Sequence, residues 1–159
     1  MTAMTRRAFG VSRSVPLPAD DAFARLADLP HYDRWLPARG PYRATVEVDP
    51  YPVRVGTTYH DGDPSGSGRS WRGEVSVFER PTQLAFRQRV RVDAIRAEVD
   101  TVIGYELLET GVSSCLVRRR VELDIRSPVW ALPLLGMVQR AFASESRRVL
   151  LALAESGSL

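Results

Sequence analysis

The fold is decided by the stretch Ser127–Leu153, which reads SPVWALPLLGMVQRAFASESRRVLLAL. After Pro133, apolar residues recur at the spacings of one helical face; they are Leu135, Val138, Phe142, Val149 and Leu153. The opposite face is polar and carries Arg140, Ser144, Arg147 and Arg148. The spacing predicts one long amphipathic helix, with Ser127 as its N-cap, Pro128 in its first turn and a kink or restart at Pro133.

Most of the chain before this helix alternates apolar and polar residues, which is the period of β-strands. One strand ends near Pro16; a helix opening with Asp20 and Asp21 and a second short helix at 31–36 follow. Six further strands are expected at 42–48, 53–59, 71–77, 84–92, 97–107 and 115–125. Consecutive strands joined by turns predict an antiparallel meander with one dry face, against which the long helix packs.

The chain has 159 residues and 44% hydrophobic residues, which favours a single globular domain over residues 1–159 with a sizeable core. All 22 basic residues are arginine, but they are spread along the chain and the net charge is only +3. We interpret the arginines as a coding bias rather than a selection for phosphate. This distribution argues against a nucleic-acid-binding protein.

A single cysteine, Cys115, rules out an intrachain disulfide and favours a reducing compartment, the cytoplasm. We see no signal peptide in residues 1–10, and the apolar run 128–138 is too short to span a bilayer, so no stable membrane insertion is expected.

No spacing of His, Cys or carboxylates is typical of a metal site, and no cofactor is expected. The oligomeric state stays open, a dimer included.

Several local patterns resemble the START-like, Bet v 1-like (SRPBCC) superfamily, and within it the polyketide cyclase/dehydrase group. Val11–Val15 followed by Pro18–Phe23 is similar to that group's first strand and helix entry. Trp35 matches its tryptophan at the end of the second short helix. Gly73–Val75 with Glu79–Leu84 resembles its strand, proline turn and strand.

The resemblance implies an α+β helix-grip fold. A curved seven-stranded antiparallel sheet would surround the long C-terminal helix, with two short helices between the first and second strands. A deep cavity between sheet and helix would bind a hydrophobic small molecule. Members of the group include aromatase/cyclases as well as carriers of lipids and quinones.

Arg119 is the most unusual residue on the inward side of the predicted sheet, because a buried guanidinium is costly unless it is paired. It could bind a carbonyl, enolate or carboxylate of a ligand and stabilise developing negative charge. Alternatively, it pairs with Asp61 or Glu145, or a bulge turns it outward. Residues 118–120 are all arginine, so a one-residue slip changes which one points inward. Arg13 on the first strand shares this inward parity.

We expect the candidate catalytic residues to be Arg119, Tyr105 and Tyr59, the tyrosines transferring protons or orienting a hydroxyl. The candidate ligand-binding residues are Trp35, Tyr42, Trp71, Phe86, Gln88, Thr101, Ile103, Leu135 and Phe142. The alternative for the aromatic residues is ordinary core packing. Either His31 or His60 could act as a base, although a lone histidine beside a loop is typical of a solvated surface. The glycine-rich loop 61–70 matches no phosphate-binding pattern.

Three functions compete. The first is an enzyme that cyclises or dehydrates a poly-carbonyl, polyketide-like chain. The second is a non-catalytic carrier of a lipid or quinone, which needs only an apolar cavity and one orienting polar group. The third, an interaction module using the outward arginines, is disfavoured because acidic residues are interspersed with them. Several inward polar residues favour the enzyme.

Overall fold

The structure, a computed structural model, describes residues 1–36, 44–62 and 70–158, although not the side chains of 44–46, 61, 62, 70 and 71. The strands are β1 (Thr2–Val15), β2 (Ala44–Asp49), β3 (Thr58–Gly62), β4 (Ser70–Glu79), β5 (Gln83–Val92), β6 (Ala97–Gly111) and β7 (Ser114–Pro128). The α-helices are α1 (Ala19–Ala27) and α2 (Leu135–Ser156), and short 3-10 helices cover Leu29–Arg34, Asp93–Ile95 and Val129–Leu134. The predicted order of elements is confirmed.

Within the described residues, the seven strands form one curved antiparallel sheet in the order β1-β7-β6-β5-β4-β3-β2. The order is a meander from β2 to β7, and β1 is added beside β7. The predicted helix-grip, α+β class is therefore confirmed. The register places Tyr105 of β6 opposite Arg119 of β7, and Arg119 opposite Val11 of β1.

The two long strands β6 and β7 show why the sheet has two different faces. Their buried residues alternate with exposed ones along nearly the whole length of both strands. The buried set includes Val99, Leu107, Val121 and Leu123, whereas the exposed set is largely charged. The sheet thus has an inner face in the core and an outer face in solvent.

Helix α2 packs against β1 and β7 through the predicted face. Leu135, Val138, Val149 and Leu153 are buried and Phe142 is half-buried. Of the four residues expected on the opposite face, Arg148 differs because it is only half-exposed and pairs with Glu145. Arg7 of β1 also donates a hydrogen bond from Nη1 to Oε1 of Gln139, 2.8 Å away, which ties α2 to the sheet.

The predicted helix start was wrong. Ser127 is not a cap, because the alternation of β7 continues through it to Pro128 and its side chain is buried. The chain then forms the 3-10 helix Val129–Leu134, and α2 begins only at Leu135. Pro133 lies inside the 3-10 helix, and the restart expected there is observed immediately after it.

The predicted strand 53–59 also needs correction. Val53 and Val55 are not in a strand, and pairing begins only at Thr58. Pro50 and Pro52 lack the N–H group that a ladder needs, which explains the late start. In β4 a bulge shifts the register between Val75 and Val77.

Candidate functional site

The inner face of the sheet carries a buried arginine–tyrosine pair. Nη1 of Arg119 donates a hydrogen bond to the hydroxyl oxygen of Tyr105 at 2.5 Å, and the guanidinium carbon lies 5.4 Å from the centroid of the tyrosine ring. Arg119 is 6% exposed and Tyr105 5%. The β6–β7 register creates the pair, since it sets the two residues directly opposite each other on the buried side.

Arg119 has no carboxylate partner among the residues that the structure describes. Glu145, one of the two alternatives considered above, instead accepts hydrogen bonds from Nη2 and Nε of Arg148 at 2.8 and 3.1 Å. The side chain of Asp61, the other alternative, lies outside the described part of the chain. The Nε atom of Arg119 is buried and has no hydrogen-bond partner among the described residues. A buried cation with an unused donor is chemically able to bind an oxygen atom of a ligand.

Burial raises the pKa of the Tyr105 hydroxyl above its usual range, although the positive charge and the hydrogen bond of Arg119 oppose this shift. The negative charge of Glu145 adds to the rise in pKa. The hydroxyl is therefore protonated at neutral pH. Because Arg119 can only donate, the Tyr105 proton remains available, and no described residue accepts it.

A row of aromatic rings continues from this pair along the inner face. Phe86 contacts Tyr105 edge to face with centroids 6.3 Å apart, and Tyr59 contacts Phe86 in the same way at 5.9 Å. The Nε2 atom of Gln88 donates a hydrogen bond to the Tyr59 hydroxyl at 2.7 Å. The structure thus brings five of the candidate residues into one continuous row, with Arg119 at its end.

Gly73 makes this row possible, and sequence reasoning missed its role. Tyr59 of β3, Gly73 of β4 and Gln88 of β5 are neighbours across three strands. A Cβ atom on Gly73 would overlap the Tyr59 ring, with Cε2 only 2.8 Å away. The absent side chain lets the phenol of Tyr59 cross β4 and reach Gln88. A glycine on the inward parity of a strand was the available signal.

Thr101 and Ile103 lie on the inner face of β6, opposite Gln88 and Phe86 of β5, respectively. Thr101 is 1% exposed, and its hydroxyl oxygen has no hydrogen-bond partner in the described structure. Leu135 and Phe142 lie on α2 and belong to the hydrophobic core, where Leu135 is fully buried and Phe142 half-buried.

Trp35 is not part of the row, although it packs against the same hydrophobic core. Its ring contacts Tyr32 edge to face with centroids 5.0 Å apart, and its buried Nε1 has no hydrogen-bond partner among described residues. Tyr42 lies outside the described residues, and so does the side chain of Trp71. Arg13 is exposed, although it shares the inward parity of β1.

The histidines and the cysteine lie away from the row. His31 forms a hydrogen bond with the Asp28 carboxylate at 2.9 Å, and His60 lies between Glu47 at 3.4 Å and Arg72 at 3.2 Å. Cys115 is fully buried in β7, and burial raises the pKa of its thiol.

A groove of about 850 Å³ lies on the opposite, outer face of the sheet. Three of the six arginines that line it pair with carboxylates across or along the strands: Arg6 with Asp124, Arg89 with Asp100 and Arg120 with Glu122. These pairs are exposed and neutralise one another, which is typical of a solvated face. We therefore place the candidate site on the inner face, at Arg119, which has no carboxylate partner in the described part of the chain.

Within residues 1–36, 44–62 and 70–158, no group of three or more His, Cys, Asp or Glu side chains is arranged to hold a metal ion. The described helices include none with the length and apolar character required to cross a membrane.

Solved structures with a similar fold include the aromatase/cyclase Zhui from Streptomyces sp. R1128, with 14% identity, a TM-score of 0.75, and coverage of 97% of this chain and 94% of that one. The two-domain aromatase/cyclase BexL of the BE-7585A biosynthetic pathway is 18% identical with a TM-score of 0.69, and the match covers 94% of this chain but 45% of BexL. Norcoclaurine synthase from Thalictrum flavum is 15% identical with a TM-score of 0.65, covering 98% and 93% of the two chains. At these identities the likeness concerns the fold.

No curated protein sequence matches the chain. The family model described as polyketide cyclase/dehydrase and lipid transport, in contrast, matches residues 6–156. Because the match spans nearly the whole sequence and the fold agrees with it, this protein belongs to the polyketide cyclase/dehydrase and lipid transport family, within the START-like, Bet v 1-like superfamily.

Proposed function

We propose that the protein binds a bulky, poly-carbonyl small molecule between the inner face of the sheet and α2, and that it catalyses cyclisation or dehydration of this molecule. The observation that supports this most is the buried Arg119, which is hydrogen-bonded to a neutral tyrosine and has no carboxylate partner among the described residues. The family and the aromatase/cyclase fold relatives support the same reaction class. The lone cysteine, fully buried, fits a cytoplasmic enzyme.

Ring closure of a poly-carbonyl chain needs a carbon nucleophile and an activated carbonyl. A carbon between two carbonyl groups loses a proton to a base, and the resulting enolate forms a carbon–carbon bond to a second carbonyl. The oxygen of that carbonyl becomes an alkoxide, which takes a proton. Later loss of a neighbouring C–H proton and of the hydroxyl, together as water, forms the double bond.

Arg119 and Tyr105 have the chemical groups that the oxygen atoms in these reaction steps require, a positive charge and a proton donor. The guanidinium would stabilise the enolate or alkoxide charge, which is strongest in a site shielded from water. The Tyr105 hydroxyl would donate its proton to the alkoxide, and Arg119 would stabilise the phenolate left behind. Phe86 and Tyr59 would shape the chain, while Thr101 and Gln88 would orient its other oxygens.

The experiment uses a linear poly-β-keto thioester as the probe and follows cyclised products by liquid chromatography and mass spectrometry. Wild type should form a defined ring product faster than the uncatalysed background. Arg119→Gln and Tyr105→Phe should each lower the rate by about 100-fold or more. Arg118→Gln, its exposed neighbour on the outer face, is the matched control and should leave the rate unchanged. Wild-type rates in both inner-face variants would contradict the proposal.

A non-catalytic carrier is the second candidate, because the family description itself includes lipid transport. Arg119 would then anchor the polar head of a lipid or quinone, and proton transfer by Tyr105 would not be needed. Native mass spectrometry of the purified protein tests this function. A co-purifying lipid or quinone that is retained by Tyr105→Phe and lost from Arg119→Gln, with no ring product from the probe, would establish the carrier.

A further inference from the structure

The segment between the sheet and α2 exposes an unusual series of apolar side chains. Six of the nine residues 129–137 are exposed, and every exposed residue is apolar. They are Val129, Trp130, Leu132, Pro133, Leu134 and Met137, which we call the 129–137 ridge. Trp130 is 57% exposed and Met137 67%. Single exposed apolar residues are common, but a contiguous group that includes tryptophan marks a contact surface.

Buried neighbours and a backbone hydrogen bond anchor the ridge to the rest of the protein. Ala131 and Leu135, which belong to the same segment, are fully buried in the core. The backbone N–H of Val129 donates a hydrogen bond to the carbonyl oxygen of Met1 at 3.2 Å, so the 3-10 helix is also fixed to β1. The exposed side chains therefore project from an anchored turn.

The chain segment that carries the ridge has only basic charges. The sequence contains no acidic residue between Asp124 and Glu145, whereas Arg126 and Arg140 flank the ridge and are exposed. Arg126 itself lies on the outer face of the sheet, where its cross-strand neighbour on β6 is Glu98. An apolar surface bordered by exposed arginines matches the interfacial region of an anionic bilayer, where tryptophan and arginine are both favoured.

We propose that the 129–137 ridge docks the protein on the surface of a membrane that contains anionic lipids. Trp130 and Met137 would enter the headgroup region, and Arg126 and Arg140 would contact lipid phosphates. Two weak contributions, apolar insertion and charge attraction, together give reversible binding without a membrane-spanning helix. The ridge adjoins the start of α2, the helix that closes the candidate site, so docking would bring that site next to a reservoir of hydrophobic molecules.

The proposal is independent of the chemistry at Arg119 and is tested without any substrate. Extruded phosphatidylcholine vesicles, with and without phosphatidylglycerol, are sedimented with the purified protein. Wild type should sediment with the anionic vesicles, and high salt should weaken this binding. The Trp130→Ser/Met137→Ser variant should lose more than about tenfold in partitioning. Arg126→Gln and Arg140→Gln should each lose about fivefold.

Two matched controls distinguish binding through the ridge from nonspecific apolar binding and from nonspecific electrostatic binding. Val112→Ser removes an exposed apolar side chain from the β6–β7 turn, and Arg118→Gln removes an exposed arginine from the outer face. Both should bind the vesicles like wild type. Brominated lipids should quench the fluorescence of wild type strongly, and that of Trp130→Phe much less.

Three outcomes would overturn the proposal. The first is no sedimentation with anionic vesicles. The second is binding that the ridge variants and the controls reduce equally. The third is a wild-type dimer in light scattering that Trp130→Ser/Met137→Ser dissociates, since the ridge would then be covered by a second copy of the chain.

Discussion

The ring of Tyr59 lies directly over Gly73, so that the phenol crosses strand β4 and its hydroxyl accepts a hydrogen bond from Gln88 on β5. Three neighbouring strands are thereby joined on the inner face by one side chain. This arrangement is possible because Gly73 has no Cβ atom to overlap the ring.

Gly73→Ala should therefore displace the Tyr59 ring and destabilise the protein by about 1–3 kcal/mol, the usual cost of overpacking. Urea unfolding monitored by circular dichroism measures this change in free energy. The matched control is Gly104→Ala on β6, where an added Cβ would meet its nearest atom, the carbonyl oxygen of Arg120, only at 4.0 Å. In a Tyr59→Leu background the cost of Gly73→Ala should largely disappear. An equal cost in both backgrounds would show that the ring is not the obstacle.

Arg119→Leu should weaken ligand binding and, at the same time, stabilise the empty protein. The guanidinium is buried with an unused Nε, and a leucine would remove the cost of desolvating it. We expect a rise on the order of 1 kcal/mol in the free energy of unfolding, most clearly when Tyr105→Phe is added so that no hydroxyl is orphaned. Thermal unfolding and ligand titration provide the two measurements. Unchanged ligand affinity would mean that Arg119 does not contact the ligand.

Tyr105 should make stability fall at high pH. Its pKa is raised in the folded protein, mainly by burial, so the folded state holds the proton more tightly than the unfolded state does. Its contribution to stability is complete below the unfolded pKa of about 10 and is lost as the pH rises through the folded pKa. Urea unfolding between about pH 8 and 11 should show a steeper loss for wild type than for Tyr105→Phe. Identical slopes would indicate that the hydroxyl is accessible to solvent.

Cys115 should resist thiol reagents in the native state. The residue is fully buried, so that reagents do not reach its thiol. Burial also raises the pKa of the thiol, so little thiolate forms at neutral pH. Reaction with Ellman's reagent should be slow in buffer and rapid and stoichiometric in denaturant. Rapid labelling of the native protein would show that the β6–β7 hairpin opens often.

The sequence was sufficient for the order of elements, because β6 and β7 keep a strict alternation and α2 a helical period. The same alternation also led to two errors. Val53 and Val55 continue it outside any strand, and the buried Ser127 belongs to it rather than to a helix cap. Period alone does not reveal where hydrogen-bonded pairing stops.

The candidate site was predictable as a set of inward residues but not as a set of contacts. Parity placed Arg119, Tyr105 and Gln88 on the inner face, as the structure does. Their partners depend on the register across neighbouring strands, which decides that Arg119 faces Tyr105 and that Tyr59 passes over Gly73. Glu145 was a reasonable partner for Arg119 by charge, yet Arg148 on the same helix is closer to it.

The pairing of β1 with β7 has a consequence for how the molecule assembles. Thr2 is paired with Pro128, and Val15 with Cys115, so every β1 contact in this ladder joins residues about one hundred or more positions apart. Such non-local pairing slows folding, because the entropy of closing a large loop is lost before any stabilising contact forms. During synthesis β1 has no strand to pair with until β7 has left the ribosome, and α2, which packs on both, completes the structure last.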